Sequence, residues 1–289
     1  MHPQPTQSAQ TPQILAPSTN PNQALWEKGD FTRIAATMRA SGAALVAQLG
    51  IARGTRVLDL GCGDGTTALP AAQLGAQVVG IDIARNLVEA GNRRAAALGL
   101  AGACTFQVGD AIRLAGVADA SFDLVVSIFG AMFAPDPIAA AREMVRVTRP
   151  GGRIVMGNWI PGDPTLVSQV LRICSGYTPP PPAGAISPIR WGDEGEVRAR
   201  FAAAGIPPER VAFLRDTFTF VHPGTPADLL AEFRTWYGPT MNAFAAAENA
   251  GRAAQLQAEL EQLFADQNRS GTDGGTVIPA TFLRVTVRR

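Results

Sequence analysis

Between positions 56 and 66 an apolar run passes directly into a turn with three glycines, Gly61, Gly63 and Gly65. Glycine has no Cβ, so such a turn bends sharply and lets a ligand approach the backbone. The run before it, Val57-Leu58-Asp59-Leu60, reads as a buried strand, and the chain from Thr66 reads as a helix. The alternation then repeats. Apolar runs at 77–83, 104–108, 122–128 and 153–158 are separated by Ala- and Leu-rich segments of helical spacing at 66–74, 86–98 and 137–147. Strand and helix in alternation predict a parallel sheet covered on both faces, wound right-handed at each crossover. The expected fold class is α/β, with a doubly wound sheet.

Outside this block the rhythm is looser. Residues 1–22, rich in Pro, Gln, Ser and Thr, predict a disordered tail. Residues 23–50 predict a cap with a helix over 32–49, and 51–289 form the main domain. In its second half, Pro179–Pro182 predict an extended loop. A helix is expected at 194–204 and a strand at 211–221. Helices follow at 226–237 and 241–264, with Gly238-Pro239 between them, and a strand at 281–287 closes the chain. The segment 222–280 therefore reads as a helical lid inserted before the last strand.

Lys and Arg total 25 and Asp and Glu 24, for a net charge of +1, which argues against a protein that wraps nucleic acid. The most apolar run, 124–134, is too short to span a bilayer, and no signal peptide precedes it. Cys62, Cys104 and Cys174 form no CxxC pair, so neither a metal site nor a disulfide framework is expected, and a reducing cytoplasm is the simplest home. The oligomeric state is open, a homodimer included.

The glycine turn has a cofactor reading. Asp82 ends the second run 17 residues beyond Gly65, where a carboxylate accepts both hydroxyls of a ribose. A dinucleotide fingerprint requires a third glycine at position 66, which is Thr66. Asp59 beside the loop would also repel a pyrophosphate. Both features favour S-adenosylmethionine (SAM), whose tail carries an ammonium and a sulfonium.

Five blocks in order resemble a class I SAM-dependent methyltransferase, closest to the small-molecule group of the ubiquinone and menaquinone C-methyltransferases. They are 57–65, Val79-Gly80-Ile81-Asp82-Ile83, Val108-Gly109-Asp110-Ala111, 122–127 and Arg149-Pro150-Gly151-Gly152. The resemblance implies a seven-stranded sheet whose last two strands are antiparallel. It also implies that Asp59, Gly61, Cys62 and Gly63 meet the methionine end of SAM. Asp82 and Ile83 would hold the ribose side, Asp110 and Ala111 the adenine, with Ser127 completing the cofactor set. Phe31, in the entry segment 26–33, would pack near SAM. Two rivals stay open: a nicotinamide-dependent oxidoreductase, and a SAM-binding regulator without catalysis.

For the acceptor, the fourth run ends in Ser127-Ile128-Phe129-Gly130-Ala131-Met132-Phe133. It has no Asn/Asp-Pro-Pro-Tyr turn of the kind that marks amide and nucleobase methylation, so a small apolar or aromatic acceptor is expected. Phe133, Trp159, Arg234, Trp236 and Tyr237 are the candidate acceptor wall, against the plainer reading of core and helix packing. Tyr177 and Trp191 are a second candidate wall, and Arg190 a carboxylate ligand. His222 is the one histidine outside the N-terminal tail and the only candidate general base of that type. A turn histidine without a role is the alternative.

Overall fold

The computed structural model describes residues 20, 22–182, 184–271 and 274–289. The tail expected over residues 1–22 falls outside the described residues except at Asn20 and Asn22. Asn22 already belongs to a short helix, α1 (Asn22–Trp26), and α2 (Phe31–Ala47) follows. Asp30 caps α2 by accepting from the Thr32 N–H.

The sheet then builds as β1 (Arg56–Leu60), α3 (Ala68–Gln73), β2 (Gln77–Asp82), α4 (Arg85–Ala97), β3 (Cys104–Val108) and β4 (Phe122–Ile128). Next come α5 (Pro137–Val147) and β5 (Thr148–Trp159). Pro137 opens α5 after Asp136, whose carboxylate accepts from the Ile138 and Ala139 N–H groups. The second half adds α6 (Leu166–Ser175), α7 (Glu194–Ala203), β6 (Val211–His222), α8 (Pro226–Trp236), α9 (Gly238–Asn249), α10 (Ala253–Gln267) and β7 (Thr276–Arg288).

Among the described residues the seven strands form one sheet in the order β3-β2-β1-β4-β5-β7-β6. β1 to β5 pair in parallel, while β7 runs antiparallel to both β5 and β6. The implied seven-stranded sheet with its antiparallel final pair is what the chain forms.

Three expectations are corrected, and one helix is added. The helix after the glycine turn starts at Ala68, not Thr66, because the turn runs on through Thr67, which at a φ of −109° is the N-cap. The segment 241–264 is two helices, interrupted at Ala250 to Arg252, where Gly251 takes a left-handed φ of +67°. β7 starts at Thr276, five residues before the expected 281, and pairs with β6 along its whole length, from Val211 against Val287 to His222 against Thr276. Helix α6 was not expected at all, although Leu166, Val167, Val170, Ile173 and Cys174 form a buried stripe at helical spacing.

Candidate active site

The strand order reverses between β1 and β4, and in a doubly wound sheet the crevice at that point takes the ligand. Here two glycines meet. Gly61 has a φ of +69°, and a Cβ on it would lie 2.5 Å from the Gly130 Cα. Ser127 ties the same two strand ends: its hydroxyl donates to the Leu60 carbonyl at 2.6 Å and accepts from the Ala131 N–H at 2.9 Å. Ser127 is buried and does not line the cavity beside it. With its proton and a lone pair committed to backbone, it is a structural tie and not part of the cofactor surface.

The cavity, with its open mouth included, spans about 980 Å³. Gly61, Cys62, Gly63, Asp82, Ile83, Asp110, Ala111 and Phe31 all line it. The Asp82 carboxylate accepts from the Gly63 N–H at 2.8 Å and the Ala84 N–H at 2.9 Å. Burial raises its pKa, opposed by the N–H groups of Ala84, Gly63 and Ile83. Asp110 accepts from the Ile112 N–H, and Asn20 Nδ2 donates to its other oxygen at 3.1 Å. Asn22 Nδ2 donates to the Phe133 carbonyl at 2.5 Å, so the chain before α2 crosses the cavity.

Asp59 stands one layer behind the loop, almost fully buried, and does not line the main cavity. One of its oxygens accepts from the Thr67 hydroxyl and the other has no partner. Burial pushes its pKa up to about 7; the Thr67 bond opposes this, Asp82 adds to it, and the Ala68 N–H opposes it. Asp64, buried in the loop and lining the cavity, was not singled out from the sequence. Arg39 of α2 reaches it at 2.9 Å and Arg94 of α4 at 3.0 Å, so helices from two sides fix the loop. Burial raises the Cys62 thiol well above its ordinary pKa, with Asp82 and Asp59 adding to it, which suits a packing residue and not a nucleophile.

Aromatic rings make the other side. Trp26 lies 5.6 Å from Phe31 and 4.7 Å from Phe133, and all three line the cavity. Phe129 and Phe218 line it from the β4 and β6 side, their centroids 5.1 Å apart. The rest of the expected acceptor wall stands elsewhere. Trp159 is buried beneath Phe129, stacked at 3.7 Å. Tyr237 is buried one ring behind the wall, 6.1 Å from Phe31 and 6.3 Å from Trp26. Trp236 does not line the cavity, and its backbone packs against Gly29. Arg234 points to solvent, paired with Glu248 at 3.3 Å. Of the second wall, Tyr177 donates to Glu259 and Trp191 lies under Arg200, while Arg190 pairs with Glu196. His222 is spent on a turn: it is the last residue of β6, four beyond Phe218, and its Nδ1 accepts from the Gly224 N–H at 3.1 Å. It does not line the cavity.

This donor set fits SAM. Among the described lining residues there are carboxylates but no Lys, Arg or His, so a cationic tail is matched and a pyrophosphate is not. Thr66 also fills the place of a third glycine, packed against Gly42 of α2.

Comparison with known proteins agrees. The family model described as a methyltransferase domain matches residues 58–156. An uncharacterized protein of Mycobacterium tuberculosis is 35% identical over 265 residues, covering 88% of this chain and 90% of that protein. A demethylmenaquinone methyltransferase of Beutenbergia cavernae is 42% identical over 111 residues, 38% of this chain and 43% of its own length. The YcgJ protein of Bacillus subtilis shares the fold, with a TM-score of 0.55 at 21% identity, covering 86% of this chain and 98% of its own. Neither the nicotinamide reading nor the inactive-regulator reading gains support from these relatives. The chain belongs to the class I SAM-dependent methyltransferases and is an enzyme that uses SAM as its methyl donor.

Proposed function

We propose that this enzyme methylates a small organic molecule held on the aromatic side of the cavity, with the SAM nucleoside on the side of Asp82 and Asp110. The observation that carries the reading is the division of one cavity. Carboxylates stand at or just past the ends of β2 and β3, while Phe129 directly follows β4 and Phe218 stands on β6, across the switch point. Asp82 holds the ribose hydroxyls and Asp110 the adenine amino group, with Ile83 and Ala111 flanking the base. Gly61 and Gly63 let the methionine end lie against the backbone. SAM supplies a methyl carbon already activated by its sulfonium. The protein's part is to hold the two reactants in line and to exclude water, and Trp26, Phe31 and Phe133 cover the site for that purpose.

A cytoplasmic setting is supported by three buried free cysteines, and no helix of the described residues is long and apolar enough to cross a membrane. The test uses methyl-labelled SAM and a cell extract separated into protein, nucleic acid and low-mass fractions. Label is expected in the low-mass fraction. Label confined to protein or nucleic acid overturns the small-molecule reading.

A further inference from the structure

Phe129 follows β4 directly and holds a φ of +61°. That left-handed conformation is unfavourable for any residue with a Cβ and rare for a bulky one. Among the described residues only Ala120 shares it outside glycine. Strain of this kind persists where the surroundings over-determine it. Here they do. The Phe129 N–H donates to the Gly157 carbonyl at 2.9 Å. Its ring lies parallel to Trp159, 3.7 Å away and 6° from coplanar, with Phe218 and Phe282 meeting it edge-on at 5.1 and 5.3 Å. The next residue, Gly130, is locked against Gly61. The ring is only half-buried, and what remains of it borders the cavity.

The cavity thus has two aromatic surfaces. One is Trp26, Phe31 and Phe133, and the other is Phe129 with Phe218. Among the described residues no ring contact joins the two sets. The charges are arranged as strictly. Among the described residues no Lys, Arg or His lines the cavity, so an anionic acceptor would find no cationic partner among them. Asp64 is already paired by Arg39 and Arg94, and Asp82 and Asp110 stand on the β2 and β3 side. The lining carboxylates, Asp64, Asp82 and Asp110, stand at or beyond the ends of β1, β2 and β3, and none is carried by β4 or β6, which bring Phe129 and Phe218 to the cavity.

Resting on the methyltransferase reading above, we propose that Phe129 is the specificity-determining residue for the acceptor. It serves as a rigid floor on which an uncharged, flat, apolar ring stacks, with Trp26, Phe31 and Phe133 closing over it. The strained backbone fixes the height and tilt of that floor, and the Trp159 stack keeps it from turning.

The experiment is calorimetric titration of the full chain saturated with S-adenosylhomocysteine. The probes are 2-naphthol, 2-naphthoate and 2-naphthylmethylammonium, which share a ring and differ in charge. Naphthol is expected to bind at least tenfold more tightly than either charged probe. F129G accepts the left-handed backbone without strain but lacks the ring. It is expected to lose about tenfold in naphthol affinity while S-adenosylhomocysteine affinity stays within twofold. F133A, in the opposite set, gives a second reading should F129G fail to fold, with the same direction expected. Failure of S-adenosylhomocysteine to bind the wild-type chain would sink the methyltransferase reading itself. Cofactor-product binding without naphthol binding, equal or better binding of a charged probe, or unchanged naphthol affinity in the folded variants would overturn the proposal about Phe129 alone.

Discussion

A Cβ placed on Gly42 would lie 2.5 Å from both the Cγ2 and the carbonyl oxygen of Thr66. Helix α2 therefore rests directly on the glycine-rich loop, and no larger residue fits without moving one of them. G42V should lower the melting temperature by an amount equivalent to about 1–3 kcal/mol, the usual cost of overpacking. Because the loop is displaced, affinity for S-adenosylhomocysteine should fall as well. A thermal melt with and without that ligand checks both; an unchanged ligand-induced shift would mean that the loop tolerates the helix moving away.

Asp82 carries two backbone N–H bonds, and its carboxylate faces the cavity. Asp82→Ala removes those bonds and the two charge-assisted bonds proposed to the ribose, worth about 1.5–3 kcal/mol each. At least a tenfold loss of S-adenosylhomocysteine affinity is expected by calorimetry. A folded variant with wild-type affinity would contradict the role given to this carboxylate.

The Asp59 carboxyl gives a pH signature. Its folded pKa, near 7, lies above the ordinary value of 3.8. Between those values the unfolded chain has lost the proton and the folded chain keeps it. Stability contributed by Asp59 is therefore full below about pH 4, falls as the pH rises to about 7, and is level above that. Each unit of such a shift corresponds to about 1.4 kcal/mol. The difference in melting temperature between the wild type and D59N should shrink or change sign across this window and stay constant above it. A flat difference from pH 4 to 7 would show that the carboxyl ionises normally.

His222 makes the opposite prediction. Its ring accepts a turn N–H and lies outside the cavity. His222→Ala should leave the methylation rate and the ligand affinity within threefold, with a stability loss of about 1 kcal/mol for the hydrogen bond. A rate loss of a hundredfold with intact ligand binding would return it to the role of general base.

The strands that build the cofactor side are legible in the sequence because each is a continuous apolar run, and Asp82 and Asp110 stand at or just past their ends. The acceptor side is less legible because it depends on contacts between distant residues. Trp159 is a natural candidate from its place at the end of β5, yet the left-handed turn at Phe129 lays another ring over it. Arg234 and Trp236 precede Tyr237 in sequence, but the pitch of α8 sends Arg234 to solvent. Asp64 lies within the glycine motif, but its partners Arg39 and Arg94 come from helices 25 and 30 residues away. Asn20 and Asn22 sit in a segment whose composition hides the side-chain bonds they make to Asp110 and Phe133.

The meeting of Gly61 with Gly130 has a consequence for how such a sequence can change over generations. The atom that a Cβ on either glycine would strike is main chain, not side chain. Trimming a neighbour therefore makes no room, and no second substitution can rescue the first. The two positions are bound to be inherited together, and the pair marks a point where descent can alter the rings on one side and the carboxylates on the other while the seam between them stays fixed.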